Sequence, residues 1–571
     1  MKRRADLDRA VIALLFASLL IGAAQVCLLP PWEGFDETAH YSYIQQLAET
    51  GVWPRLGGPL SSAVEQYGKV APMPYAAYPP YTAADGDWTY HEFFLASADQ
   101  LEAGRRLVQA PAKASWKPGT MPNWEAQHPP LYYALLVPFY WLSRGWSLLQ
   151  ALLLLRIVSY FLAWLGLCIT AAAARPPESD LSPESAFLYV APALWPFVFP
   201  MWFPEMARLG NDSLVTLLVA AAWLAFRRLL SRNRISNYCA VALLCGLGLL
   251  TKATFLPLVA VILGYLVVRC WLAREPEDRR ASRSGLLLFC ALAAASSGWW
   301  YLSKYREAGN LLGAHDIANL AGSGGLLPAL AKPGFFHAFL EGVFQVGISF
   351  LWNGTWSFVE PPWPALLPLL ASAALFGLAH LVFLRQITLA QTLRRKTLLS
   401  AAWLPLLTLA VFALGLVFSV WVFIAAYGVA GTPGWYLHSF APLFSIILGA
   451  GILTAMRSLM LRIPVIVLLL YPLLFLPGVA VLEALTYAGC GEKTAFWSLA
   501  GSLHFGPSPA PCPGAFSMFR NLAVLASPEA AAVCFALGLA AGIVGALLLL
   551  RSGVFSARSL TVSQFPLQVA S

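Results

Sequence analysis

Long hydrophobic runs, most of them about 20 residues, alternate along the chain with short segments rich in arginine and lysine. A run of this length can cross a bilayer as a single helix. Positively charged loops favour the cytoplasmic side, so the basic segments orient each run. The pattern predicts about twelve transmembrane helices with both chain ends in the cytoplasm. The predicted spans are residues 10–29, 147–173, 186–204, 213–229, 236–254, 255–272, 285–302, 364–384, 398–427, 437–456, 463–484 and 528–550.

Three longer polar segments, 30–145, 303–362 and 485–527, are predicted to be external. Two of them contain short apolar stretches, Pro129–Ser143 and Phe335–Phe358, which we interpret as helices lying in the membrane interface. If Pro129–Ser143 were a span, the arginine clusters at 227–234 and 269–283 would lie outside, against the charge rule. The whole chain, 1–571, is predicted to form one transmembrane domain that ends in a cytoplasmic tail, 552–571.

The composition supports the same class of protein. Of the 571 residues 59% are hydrophobic and 11% charged, and the mean hydropathy is +0.66. This is too apolar for a soluble globular protein. The net charge of +9 lies mainly in the short cytoplasmic loops, so it reflects membrane topology and predicts no nucleic-acid partner. Among nine cysteines, Cys490 and Cys512 share an external loop and could form a disulfide in an oxidising compartment.

Ionisable residues recur at the predicted outer ends of the spans. Adjacent carboxylates, Asp36 and Glu37, follow the first span directly, where charged groups are costly unless they serve a function. On the predicted topology other polar residues reach the same outer surface: His40, Glu125, His128, Arg156, Arg208, Asp212, Lys252 and Tyr436. A base together with several cations is the set that transfer of a group from an anionic lipid would require.

The order of these elements resembles the GT-C superfamily of integral-membrane glycosyltransferases, an all-α helical bundle with interfacial helices. Within it the chain looks most similar to the branch that uses polyprenyl-phosphate sugars, such as protein O-mannosyltransferases and lipid A aminoarabinose transferases. The matching elements are Phe35–Tyr41 (FDETAHY), His128–Tyr133 (HPPLYY), Arg156, Ala207–Asp212 (ARLGND) and Gly248–Lys252 (GLLTK). A later element, Gly434-Trp435-Tyr436-Leu437, resembles a Gly-Arg-Tyr motif of bacterial relatives, with Trp435 in place of the arginine.

The resemblance implies the roles of these residues. Asp36, with Glu37 beside it, would be the catalytic carboxylate, and Lys252, Arg208 and Arg156 would bind the donor phosphate. The remaining expected site residues are His40, Glu125, His128, Asp212 and Tyr436. No cofactor is required for such a donor. A divalent metal is the alternative that we keep open, with Asp36, Asp212 and His128 as its ligands.

The expected partners are a polyprenyl-phosphate sugar donor, membrane lipids, and a glycan, lipid or protein acceptor. The resemblance implies a bacterial inner membrane and a site that faces the periplasm. Two other functions fit a polytopic protein: a transporter or flippase of lipid-linked glycans, and a non-catalytic envelope-assembly protein. A transporter is expected to place its ionisable residues near the bilayer midplane and often contains repeats, whereas these residues cluster at one surface and no repeat is visible.

Overall fold

The computed structural model describes residues 2–74, 88–111, 115–177, 181–314, 319–320, 325–354, 357–392, 403–429, 431, 433–490 and 514–554. Within them the chain is almost entirely helical, as predicted. The first half contains α1 (Lys2–Leu28), α2 (Glu37–Thr50), α3 (Ser62–Gly68), α4 (Tyr90–Leu95), α5 (Ala98–Gln109), α6 (Leu131–Leu142), α7 (Leu148–Ala174), α8 (Pro183–Val198), α9 (Trp202–Ala207), α10 (Asp212–Ser231), α11 (Ile235–Leu249) and α12 (Leu256–Leu272). The second half contains α13 (Pro276–Ala308), α14 (Leu326–Ala329), α15 (Phe335–Leu351), α16 (Trp363–Thr392), α17 (Trp403–Tyr427), α18 (Ala441–Arg457), α19 (Arg462–Leu470), α20 (Pro472–Tyr487), α21 (Gly514–Leu525) and α22 (Pro528–Arg551).

Ten helical segments of the described chain are long and apolar enough to cross a membrane. They are Arg3–Leu28, Leu148–Ala174, Asp212–Ser231, Ala253–Leu272, Pro276–Ala308, Trp363–Gln386, Trp403–Tyr427, Gly434–Arg457, Arg462–Tyr487 and Pro528–Arg551. Each corresponds to one predicted span. The protein is therefore an all-α, multi-pass membrane protein, and this prediction is confirmed.

The other two predicted spans, 186–204 and 236–254, form shorter helices. Helix α8 has 16 residues and is followed by the separate short helix α9. Helix α11 has 15 residues and ends at Leu249, because Lys252 adopts an extended conformation with φ −162° and ψ 143°. Both helices stop just before segments that carry charged residues of the candidate site, so the sequence prediction overestimated their length.

Helix α1, which leads to the acidic pair, packs along the last helix, α22. Glycines make this approach close. A Cβ added to Gly538 would lie 2.7 Å from Ile21, and one added to Gly545 would lie 2.8 Å from Leu14. Such stripes of small residues allow membrane helices to pack backbone against backbone. The first and last long helices are thereby packed closely together, and this packing fixes the position at which α1 ends.

The first long polar segment, between α1 and α7, folds over one end of the bundle. A two-stranded antiparallel sheet, β1 (Pro59–Ser61) and β2 (Pro118–Pro122), links its two halves. The predicted interfacial helices correspond to α6 and α15, both apolar and shorter than a span. Cys490 is disulfide-bonded, whereas its predicted partner Cys512 lies outside the described residues, as do 555–571 of the predicted tail.

Candidate active site

Asp36 occupies the turn between α1 and α2 in a left-handed conformation, with φ 61° and ψ 11°. Only a few per cent of non-glycine residues have a positive φ, and such strain is concentrated at functional sites. The indole Nε1 of Trp124 donates a hydrogen bond to Asp36 Oδ1 over 2.8 Å. Within the described chain this is the only hydrogen bond of the Asp36 carboxylate, so Oδ2 accepts none, and the residue is partly exposed. One oxygen thus fixes the carboxylate, and the other remains available to accept a proton.

The neighbouring carboxylate, Glu37, has a different environment. It is fully buried and forms a two-point ion pair with Arg156, with Nε–Oε1 at 2.7 Å and Nη2–Oε2 at 2.5 Å. Arg156 also donates to the carbonyls of Leu29 and Pro30, at 2.6 and 2.8 Å, and Glu37 Oε1 accepts from the backbone N–H of Leu209. The pair therefore fastens the end of α1 to α7 and to the segment before α10. This geometry favours a positioning role for both residues over the direct roles that the sequence implied.

A second charge cluster surrounds Asp212 at the first turn of α10. Its Oδ2 accepts from Lys252 Nζ at 2.7 Å and from Arg208 Nη2 at 2.9 Å. Arg208 also pairs with Glu205 of α9 through Nε at 3.0 Å. Its Nη1 donates to the carbonyl of Phe35, the residue before Asp36, at 3.1 Å. Arg208 therefore connects the turn that carries Asp36 to the Asp212 cluster.

Unpaired polar atoms remain in this cluster. Asp212 Oδ1 and both amide atoms of Asn211 are buried without a hydrogen-bond partner among the described residues. Unpaired buried polar groups are rare and call for an explanation. Lys252 Nζ lies 4.2 Å from the ring centre of Tyr436, so an aromatic face and a carboxylate hold the ammonium from two sides. Lysine has three N–H donors, which leaves Lys252 able to bind a further anion.

Glu125 and two histidines form a buried, hydrogen-bonded group beside Asp36. Glu125 Oε2 lies 3.1 Å from His128 Nε2 and 3.4 Å from His40 Nδ1, and His40 Nδ1 lies 3.0 Å from the hydroxyl of Tyr133. Burial, reinforced by the charge of Asp36, raises the pKa of Glu125 to about 8.

The pKa values of the two histidines are lowered, whereas that of Glu125 is raised. Burial, reinforced by Lys252, lowers the pKa of His128 to about 3. Burial and the charge of Arg208 hold the pKa of His40 well below its ordinary value. At neutral pH the shifted pKa values therefore favour the uncharged form of all three side chains.

The turn with Trp435 supports Asp36 by packing. The Trp435 ring stacks on Phe35 with centroids 4.2 Å apart and planes 9° apart, and Phe35 contacts Phe358 edge to face at 5.2 Å. Trp435, the residue compared above with the arginine of a Gly-Arg-Tyr motif, thus places an aromatic ring against the residue before Asp36. The adjacent Tyr436 supplies the ring beneath Lys252.

In the structure each predicted site residue either contacts another predicted site residue directly or lies close enough to influence its charge. Sequence reasoning missed Glu205, Asn211, Trp124 and Tyr133. Glu205 could have been found, because it lies one helical turn before Arg208 with opposite charge. Trp124 gave no such signal, since its partner Asp36 is 88 residues away.

The alternative metal site is not assembled in the described part of the chain. It contains no group of three or more His, Cys, Asp or Glu side chains that could hold an ion. Asp212 Oδ2 already binds two cationic side chains, and His128 is directed to Glu125. These donors do not fit the proposed metal, so we derive no step through one.

The fold and the site together define a class: a multi-pass membrane protein whose buried ionisable residues gather where several helices end. Comparison with known families adds to this. Residues 182–301 match the family described as dolichyl-phosphate-mannose-protein mannosyltransferase. The matched region, less than half of the chain, contains Glu205, Arg208, Asp212 and Lys252. The match confirms the resemblance to GT-C glycosyltransferases that the motifs indicated, and it supports glycosyltransferase as the class of enzyme.

Solved structures of GT-C enzymes also align with the chain. ArnT from Cupriavidus metallidurans bound to undecaprenyl phosphate aligns over 97% of this chain and 77% of its own, with 14% identity and a TM-score of 0.37. The oligosaccharyltransferase of Archaeoglobus fulgidus in its apo form aligns over 84% and 56%, with 12% identity and a TM-score of 0.36. Scores of this size carry no argument about the reaction. No curated protein matches the sequence.

Proposed function

We propose that this protein is an integral-membrane glycosyltransferase that moves a sugar from a polyprenyl-phosphate donor to an acceptor hydroxyl, with Asp36 as the base. The observation that carries the proposal is the asymmetric setting of Asp36. Trp124 holds one carboxylate oxygen, the other is unbonded within the described chain, and the protonated Glu125 lies beside it. A general base must be fixed in position and free to take a proton.

Lys252 is the proposed contact for the donor phosphate. It is 4% exposed and held by Asp212 and Tyr436, which reduces the entropy lost on binding an anion. The matched family description names dolichyl-phosphate mannose, a polyprenyl-phosphate sugar. Arg208 adds positive charge but pairs with Glu205 and Asp212. It therefore sets the local potential and the position of Lys252 more than it contacts phosphate.

The proposed reaction is a single displacement with inversion. Asp36 Oδ2 takes the proton of the acceptor hydroxyl, and the acceptor oxygen forms a bond to the anomeric carbon. The bond from that carbon to the phosphate oxygen breaks, and polyprenyl phosphate leaves with the electron pair beside Lys252. Positioning and charge stabilisation would supply most of the rate enhancement. We place the reaction at the outer membrane surface, because the site follows the external segments predicted by the basic loops.

The test uses the full chain in nanodiscs with polyprenyl-phosphate mannose, glucose and galactose as donors and a membrane extract as the acceptor source. Asp36→Asn keeps the shape of the side chain but removes its basicity, so transfer should fall by about 10²-fold or more while donor binding persists. Lys252→Met removes the cation with similar length and should weaken donor binding. Asp99→Asn, an exposed carboxylate on α5, is the matched control and should change neither measurement.

Near-normal turnover by a folded Asp36→Asn protein would refute Asp36 as the base. If the wild-type protein instead moved labelled lipid across the bilayer without transferring sugar, a flippase would replace the proposed enzyme.

A further inference from the structure

A cavity of 630 Å³ lies within the first external segment, bounded by α2, α3, α5 and the turn between α6 and α7. Its volume is in the range of sites for small organic ligands, about 300–1,000 Å³. None of the charged residues of the Asp36 and Asp212 clusters is among its described lining residues. The cavity is therefore a second space, separate from the candidate catalytic groups.

One wall of the cavity is aromatic. The rings of Trp32 and Tyr41 meet at 5.2 Å with planes 64° apart, and Tyr41 meets Tyr140 at 6.1 Å. Trp32 is 2% exposed and has a positive φ of 69°, a left-handed conformation that bulky residues rarely adopt. Its indole nitrogen has no hydrogen-bond partner in the described chain. A strained, buried tryptophan with an unused donor at a cavity wall points to a ligand that supplies the missing acceptor.

Among the remaining lining residues, several carry polar side chains. Gln45, Glu49 and Arg144 line the cavity, and Glu49 Oε1 accepts a hydrogen bond from the Tyr140 hydroxyl at 2.5 Å. Trp32 and Tyr41 are buried, whereas other lining residues, including Arg106, Arg144 and Trp146, are exposed, so the cavity opens to the surface beside them. Aromatic faces beside amide, carboxylate and guanidinium groups suit sugar rings, which present C–H faces and many hydroxyls.

Helix α2 connects this cavity to the proposed base. Tyr41, Gln45 and Glu49 recur every fourth residue and so lie along one side of α2. Asp36 immediately precedes the same helix, and Tyr41 follows it by five residues, about 7–8 Å along a helix axis. A chain of sugars bound along this side of α2 could present its end near the base.

From these observations we infer that the cavity is an acceptor subsite that binds one or two sugar units of a glycan, next to the catalytic group. This inference rests on the proposed function, because an acceptor subsite has a use only beside a site of sugar transfer. The aromatic wall with Trp32 would stack on a ring, and Gln45, Glu49 and Arg144 would bind its hydroxyls.

Binding can be measured without transfer. The Asp36→Asn protein in nanodiscs, without donor, is applied to an array of printed mono- to tetrasaccharides and to an array of serine- and threonine-rich peptides. The best binding saccharide is then titrated by calorimetry. We expect a defined subset of saccharides to bind. Trp146→Ala should weaken that binding about tenfold, because it removes a stacking surface at the opening.

Trp299→Ala is the matched control, because Trp299 is 43% exposed, close to the 41% of Trp146, but lies outside the cavity. Gln45→Leu removes a polar group from the interior of the cavity while keeping a side chain of similar volume. If Gln45→Leu fails to fold, the exposed Arg144→Gln takes its place. A binding loss that is equal in Trp146→Ala and Trp299→Ala would refute the cavity as the site, and so would the absence of any saccharide binding.

Binding of peptides instead of saccharides would replace the glycan acceptor with a protein acceptor. Since no step of this test uses the base, its failure is distinguishable from failure of the proposed catalytic mechanism. Loss of saccharide binding in the cavity variants together with normal transfer by Asp36→Asn would support the subsite and refute the base.

Discussion

The buried carboxyl of Glu125 gives the sharpest prediction about the site, since its pKa rises from an ordinary 4.5 to about 8. Between these two pH values the folded protein binds a proton that the unfolded chain releases. The contribution of Glu125 to stability should therefore fall as the pH rises through this window and level off above about pH 8. At about 1.36 kcal/mol per pH unit, the full effect is about 5 kcal/mol.

Glu125→Gln cannot ionise and keeps both the size of the side chain and a hydrogen-bond donor for the histidines. The variant should therefore escape this loss of stability. Its apparent Tm should approach or fall below that of the wild type at pH 5, close to the ordinary pKa of 4.5, where ionisation of the unfolded chain has cost the wild type little stability. It should exceed the wild-type value by a margin that widens up to about pH 8.

The assay is intrinsic tryptophan fluorescence during heating of detergent-solubilised protein, at one scan rate from pH 5 to 9. The control is Glu102→Gln, a partly exposed carboxylate on α5 whose pKa is lowered to about 2 by Arg105 and Arg106, so it stays ionised throughout. A difference between Glu125→Gln and wild type that does not change with pH would refute a buried, protonated Glu125. The uncharged hydrogen-bonded group beside Asp36 would then be refuted with it.

Three further predictions concern the framework of the site. Arg156→Leu would leave Glu37 buried without its partner, so we expect a loss of about 3–5 kcal/mol in stability. The double variant Arg156→Leu/Glu37→Gln should recover part of this loss. Equal melting temperatures of the single and double variants would contradict the ion pair. Gly34→Ala would place a Cβ 2.3 Å from Arg208 Cβ and should lower turnover more than donor binding, which kinetic and binding measurements on the same preparation would separate. The predicted topology places residue 279 in the cytoplasm, so the cysteine of the variant Arg279→Cys should not react with a membrane-impermeant thiol reagent in intact cells. Labelling of this cysteine from outside would contradict the predicted orientation.

The class of protein was predictable from the sequence because it depends on local properties. A bilayer-length hydrophobic run is recognisable by itself, so ten of the predicted spans appear as helices of sufficient length and hydropathy. The acidic pair at Asp36 and Glu37 and the lysine at 252 were also found, since ionisable groups at the ends of apolar helices stand out against their surroundings.

Only the tertiary structure separated the roles of neighbouring residues. Asp36 and Glu37 are adjacent and chemically alike, yet one is partly exposed and bonded to Trp124, while the other is buried against Arg156, 119 residues away. Likewise the shortened helices α8 and α11, the stacking of Trp435 on Phe35 and the cavity beside α2 depend on contacts between distant segments. Hydropathy and local spacing identify the spans and the charged residues at their ends, but packing across the bundle determines the partner of each charged residue and therefore its exposure and pairing.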